Sequence, residues 1–313
     1  MPQVYPHEPV MVDEVVALFA PVPPGVVVDA TAGAGGHAAA VLDAHPHLRV
    51  LCLDRDAQAV ATTSARLSPY GDRAVVRHAR FDRLQDAAAS VGVGPGSASG
   101  VLFDLGVSSP QLDQGERGFS YRLEAPLDMR MDRDQSLTAA ELVNSMTETD
   151  MTRLFADNGE GRFARRIARA IIRARPLRTT TELAEVVRNA IPAAARRHGG
   201  HPARRVFQAL RVAVNEELDV LSRALPDAID LLAAGGRCVS LAYHSGEDRL
   251  VKAAFATAVT GGCTCPPGLP CGCGAVSLGH LVFRGAHRPG EAEVAGNRRA
   301  ESARLRAFER EAA

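Results

Sequence analysis

Along the first hundred residues, short apolar runs alternate with stretches of helical period. Residues 26–29, 49–53, 74–77 and 100–104 read as buried strands, and segments from Gly36, at 57–67 and at 83–90 read as the helices between them. Strands that alternate with helices imply a parallel sheet covered on both faces. Past Gln114 the alternation stops. As far as Arg211 the apolar positions follow helical spacing, predicting helices at 139–145, 149–155, 163–173, 181–189 and 203–214. Thr181-Glu182 fits the start of the fourth, and Pro176 ends the third. A long helix near 216–233 leads to a strand at 236–244, then to a further strand at 280–283 and an Arg-rich terminal helix over 298–313. The simplest organisation is α/β. A discontinuous sheet domain (1–113 and 215–313) carries an all-helical insertion (114–214) between its fourth and fifth strands.

Composition bounds the class. With 313 residues, 46% of them hydrophobic, the chain can bury a sizeable core. No apolar run approaches the ~20 residues that span a bilayer, and no basic-then-apolar leader is present, so a soluble, cytoplasmic protein without a membrane partner is expected. Formal net charge is zero, yet from Arg153 to Arg211 14 arginines face four carboxylates, a local net charge of +10. Arg162, Arg165, Arg166, Arg169 and Arg173 recur at near-helical spacing, either as a basic face for nucleic acid or as an ordinary solvated face.

Candidate chemistry lies at the strand ends, where a parallel sheet gathers its ligands. The first strand delivers Asp29 to Gly33-Ala34-Gly35-Gly36-His37, and the second ends on Asp54. The glycines permit positive φ and close approach of a ligand, and a carboxylate about 20 residues on can accept ribose hydroxyls. Asp29 would repel a pyrophosphate and suits a cationic amino-acid tail. The D-x-x-x-G-x-G pattern therefore lies closer to S-adenosylmethionine sites than to nicotinamide ones. Phe81 follows the third strand, where it either stacks on an adenine or packs in the core. Asp104 opens a loop with Ser108, Ser109 and Gln111, a density of polar groups rarely structural alone. His37 is a cofactor contact or a first-turn packing residue. His244 is either a substrate contact or part of a helix start capped by Ser245, with Glu247 and Asp248 complementing the dipole. Cys52 and Cys238 sit in strands. Cys263, Cys265, Cys271 and Cys273 form two C-x-C pairs, spaced more tightly than usual for zinc; a reduced solvent-facing loop is the equal alternative, and no metal is assigned to the reaction.

Several blocks resemble one family over nearly the whole chain, from about His7 onward. They are Gly35-Gly36-His37, Asp54-Arg55-Asp56, the 104–113 run, Glu116-Arg117-Gly118-Phe119-Ser120, the 126–131 run, Gly161-Arg162-Phe163-Ala164, Phe207-Gln208-Ala209-Leu210-Arg211 with Asn215, and His244-Ser245 with Glu247-Asp248-Arg249. The family is the MraW, or H-type, bacterial 16S ribosomal RNA N4-cytosine methyltransferases. The resemblance implies a Rossmann-like class I methyltransferase sheet with a helical, RNA-recognising insertion, S-adenosylmethionine as cofactor, and a decoding-centre cytosine of the small ribosomal subunit as substrate. It places cofactor contacts on Gly35, Gly36, His37, Asp54, Phe81, Asp104 and Gln111. The chain departs from the family pattern at Gly246, where Leu is usual, and at Ala32 and Ala34, which replace bulkier residues; the 263–273 loop occurs in only some relatives.

Cytosine N4 is a poor nucleophile, so alignment and acceptors for its amino hydrogens are expected to carry catalysis, with Asp104, Ser108 and Ser109 as candidates. Arg162, Arg165, Arg166, Arg169 and His244 are the candidate RNA contacts. Two rivals stay open: a nicotinamide-dependent oxidoreductase, and a non-catalytic RNA-binding assembly factor that keeps the pocket. Oligomeric state, a homodimer included, is not fixed by the sequence.

Overall fold

A computed structural model of the chain describes residues 9–108, 111, 114–195, 201–266 and 272–312. The first part runs α1 (Val12–Phe19), β1 (Gly25–Asp29), α2 (Gly36–Ala44), β2 (Leu48–Asp54), α3 (Ala57–Leu67), β3 (Ala74–His78), α4 (Leu84–Ala89) and β4 (Ala98–Asp104). A run of helices follows: α5 (Ala139–Ser145), α6 (Glu148–Asp157), α7 (Ala164–Ala174), α8 (Thr180–Ala190) and α9 (Arg204–Val214). The chain then completes the sheet with α10 (Glu217–Leu231), β5 (Leu232–Ala242), α11 (Ser245–Thr260), β6 (Gly279–Leu281), α12 (Glu291–Gly296) and β7 (Arg304–Arg310). Two compact units result: Met1–Gly106 with Leu218–Ala313, and Val107–Glu217.

In the first unit seven strands pair in the order β3-β2-β1-β4-β5-β7-β6, the Rossmann-like arrangement with an antiparallel edge. β1 to β5 are parallel, whereas β7 runs antiparallel to both β5 and β6. Successive strand residues face opposite sides. Val26, Val28, Leu51, Leu53 and Phe103 enter the core shared with α10 and α11, while Val27, Val50, Cys52 and Leu102 enter the one shared with α1 and α2. Because both faces are buried, the strands read as continuous apolar runs.

The second unit is helical around its own core, which includes Met151, Phe155, Ile167, Ile171, Leu183, Val187, Val206 and Leu210. In α7 the buried residues Ala164, Ile167, Ala168 and Ile171 keep the i, i+3, i+4, i+7 spacing, so the arginines take the opposite side. Asn215, fully buried, ties the unit together: its Oδ1 accepts from the Met131 amide at 2.8 Å, and its Nδ2 donates to the carbonyls of Met129 and Arg211 at 2.8 and 2.9 Å.

Several details differ from the sequence reading. Residues 298–312 do not form the terminal helix expected over 298–313: a 3₁₀ turn (Arg298–Ser302) leads into β7. Composition suggested a helix, but the true period is two. Leu305 and Ala307 turn to one core and Phe308 to the other, while Arg304 and Arg306 reach Asp248 of α11 at 2.8 and 2.7 Å. α8 begins at Thr180, and its cap is Thr179, in a reciprocal box with Glu182, not Thr181. α11 is capped by His244, not Ser245. Finally, α1 was not anticipated, because its eight residues are too few to establish a period.

Candidate functional site

The glycine turn is shaped by what surrounds it. Gly35 caps α2 at φ 73°, and a Cβ there would lie 3.1 Å from Thr63 Cγ2. A Cβ on Gly36 would collide with the Pro9 ring. The turn is held from β2: Asp54 Oδ2 accepts from the Gly33 amide at 2.8 Å, Oδ1 accepts from the Asp56 amide at 2.8 Å, and the Thr63 hydroxyl donates to the Gly33 carbonyl at 3.0 Å. Asp54 is thus a brace for the loop as well as a candidate hydroxyl acceptor, since each carboxylate oxygen has a second lone pair. Burial pushes its carboxyl up to about 6, against the lowering effect of those amides.

Beside it, residues from β1, α2, β4 and the end of β5 converge. The Asp104 amide donates to Thr31 Oγ1 at 2.6 Å, and the Tyr243 hydroxyl donates to Asp104 Oδ1 at 2.8 Å. His37 Nε2 lies 3.5 Å from Asp104 Oδ2, an electrostatic approach too long for a good hydrogen bond. His37 is 5% exposed, and neither ring nitrogen has a hydrogen-bond partner among the described residues. Buried polar atoms are seldom left this way in a native fold, so the imidazole invites a ligand group. Asp29 is 2% exposed and accepts from the Thr31 amide at 3.2 Å. Burial pushes its carboxyl up to about 7, with His37 opposing. Phe81, half-buried after β3, packs edge-to-face on Phe103 with centroids 5.7 Å apart. That contact is the core role weighed for it, with part of the ring still accessible.

Gly35, Gly36, His37, Asp54, Phe81 and Asp104 therefore stand at the carboxyl edge of one sheet. Ser108 and Gln111 belong to the second unit, where buried Gln111 accepts from the Ser108 amide at 3.1 Å. Ser109 and Cys271 lie outside the described residues. Arg162, Arg165, Arg166 and Arg169 are all exposed. Arg165 and Arg169 direct their Nε atoms to Glu148 of α6 at 3.5 and 2.8 Å, and Arg162 lies over the Phe163 ring at 5.1 Å. Arg166 and Arg173 line a groove with Val186, Asn189 and Ala190 of α8. His244 uses its Nδ1 to accept from the amides of Gly246 and Glu247 at 3.1 and 3.4 Å, while the Glu247 carboxylate answers the Tyr243 and His244 amides at 2.8 and 3.1 Å.

Tyr243 is the site residue that sequence reasoning missed. The available signal was its place: it directly follows β5, whose Leu241 pairs with Asp104. Reading strand ends for charged residues passes over a tyrosine, whose role depends on which carboxylate lies next to it.

A model of the MraW methylase family matches residues 4–311. A ribosomal RNA small subunit methyltransferase H of Thermobifida fusca is 52% identical over 316 residues, covering 97% of this chain and 93% of that protein. One of Symbiobacterium thermophilum is 49% identical over 306 residues, covering 96% and 95%. The crystal structure of an rRNA methylase from Streptococcus thermophilus aligns over 96% of this chain and 95% of its own at 13% identity and a TM-score of 0.43, too loose for comparison residue by residue.

Proposed function

Because this chain belongs to the MraW methylase family, we propose that it transfers methyl from S-adenosylmethionine to small-subunit (16S) ribosomal RNA, at the exocyclic N4 of a cytosine in the decoding centre. The observation that carries the reading is His37, a buried imidazole with neither nitrogen hydrogen-bonded among the described residues and its Nε2 3.5 Å from Asp104 Oδ2, next to a turn that admits no side chain at Gly36. The names of the relatives supply the substrate class.

The residues present fit the cofactor. Gly35, Gly36 and His37 would hold its amino-acid end, Asp54 its ribose hydroxyls and Phe81 its adenine. Gln111 is assigned by family resemblance. Bound there, S-adenosylmethionine supplies an electrophilic methyl on a sulfonium. The chain's task is then to orient a weak nucleophile and accept its amino hydrogens. Asp104, fixed by Tyr243 and Thr31, keeps Oδ2 for such a contact. On sequence grounds alone, Ser108 and Ser109 are assigned the others. The base must be unstacked to be reached, and the arginine side of α7 is the surface assigned to RNA phosphates.

Nucleoside mass spectrometry of 16S RNA with and without the gene product tests the reaction, and N4-methylcytidine should vanish in its absence. Labelled methyl should pass to small subunits that lack the mark. If S-adenosylmethionine binds but no methyl is transferred, the chain is an assembly factor. If NAD binds instead, the cofactor assignment is wrong.

A further inference from the structure

The connection between α11 and β6 holds a chemistry that methyl transfer leaves unused. Its neck is closed by backbone. Gly261 ends α11 at φ 62°, where a Cβ would collide with the Val276 carbonyl, and the Leu278 amide donates to the Ala258 carbonyl at 2.9 Å. Among the described residues between these points none is buried: Val276 is 71% exposed, and Cys273 is exposed as well. Ordering such a loop costs conformational entropy that burial does not offset.

Three thiols nevertheless converge there. The sulfurs of Cys263, Cys265 and Cys273 all lie within 4.8 Å of one another, and those of Cys263 and Cys273 are 3.6 Å apart. Tetrahedral zinc with Zn–S near 2.3 Å requires S···S separations of about 3.8 Å, whereas a disulfide requires about 2.05 Å. The Gly272 and Cys273 amides also donate to the Cys265 sulfur, fixing its place in the cluster.

We propose that Cys263, Cys265 and Cys273 supply three of the four ligands of one zinc ion, which fastens the α11–β6 connection. The soft donor set selects zinc over magnesium or calcium. The site is remote from the reaction. α11 has 16 residues, so its far end lies about 24 Å from His244, on the opposite edge of the sheet. The ion therefore serves stability, and the proposal stands or falls apart from the methyltransferase reading.

The test is elemental analysis and chelator competition on the full, untagged chain purified under reducing conditions, then repeated on Cys263→Ser, Cys265→Ser and Cys273→Ser. We expect one zinc per chain, affinity lowered at least about 100-fold in each variant, and a fall in Tm when a chelator strips the native protein, with S-adenosylmethionine affinity unchanged. A zinc-free native chain after reconstitution would overturn the proposal. So would full zinc retention in the serine variants, or a Cys263–Cys273 disulfide in the reduced preparation. Because chelation acts on the native chain, the result does not depend on the variants folding.

Discussion

Asp29 and Asp54 end neighbouring strands, and burial raises both carboxyls, to about 7 and about 6. From about pH 4 to pH 7 the folded protein holds a proton on Asp29 that the unfolded chain, with its ordinary value of 3.8, has released. The folded state binds more protons there, so stability falls as pH rises through that window, by an amount on the order of 4 kcal/mol at about 1.36 kcal/mol per unit. Asp54, raised to about 6, adds to the same trend. Asn at position 29 keeps the acceptor for Thr31 and removes the titration. Urea unfolding of ligand-free Asp29→Asn should show a visibly shallower loss between pH 5 and 7.5 than the parent; parallel curves would show that Asp29 is not the titrating group. Tyr243→Phe removes one hydrogen bond to a carboxylate, worth about 1.5 kcal/mol of stability, so Tm should fall by a few degrees, and methyl transfer should slow as Asp104 loses its fixed orientation; an unchanged rate would show that Tyr243 does not position Asp104. Gly35, Asp54 and Asp104 could be found from sequence because strand ends are sequence-local. Tyr243 and the unpartnered state of His37 could not, because they depend on which strands are neighbours.

At the scale of elements, periodicity located the helices of the second unit to within a residue or two, and its errors lie at their ends. Thr179, Thr180 and Thr181 are three consecutive candidate caps, and only the backbone conformation selects Thr179. Thr179→Ala should cost about 1 kcal/mol in chemical denaturation and Thr181→Ala less than about 0.5; equal losses would refute the cap. Several family-like blocks turn out to be mutual supports of this unit. Arg117, 3% exposed, donates to the carbonyls of Arg130 and Met131, and a Cβ on Gly118 would meet the Pro126 carbonyl and the Asp128 amide. A motif match does not separate packing of this kind from chemistry. On α7, Glu148 already partners Arg165 and Arg169. Arg166→Ala with Arg173→Ala should therefore weaken RNA binding and lower the steepness of its salt dependence by about 2. Unchanged slopes would remove this surface from the interface.

For the molecule as a whole, the α/β class was readable because both faces of β1, β2 and β4 are buried, which makes each strand a plain apolar run. β7 escaped because only about half of it is apolar, Arg304 and Arg306 being engaged by Asp248. It is nonetheless an interior strand, paired on one side with β5 and on the other with β6. A proline at Ala307 should cost about 3 kcal/mol or more, read as a large fall in Tm or loss of soluble protein. A small change would mean that β7 contributes little to the sheet.

The place of β7 has a consequence for biosynthesis. Arg237 of β5 is bonded to Glu309 of β7 across 72 residues, with α11, β6 and α12 made in between. At translation speeds of about 5–20 residues per second, the flank of β5 is available to stray partners for several seconds in every round of synthesis. The nascent chain should be most prone to aggregate, and most dependent on chaperones, during that interval.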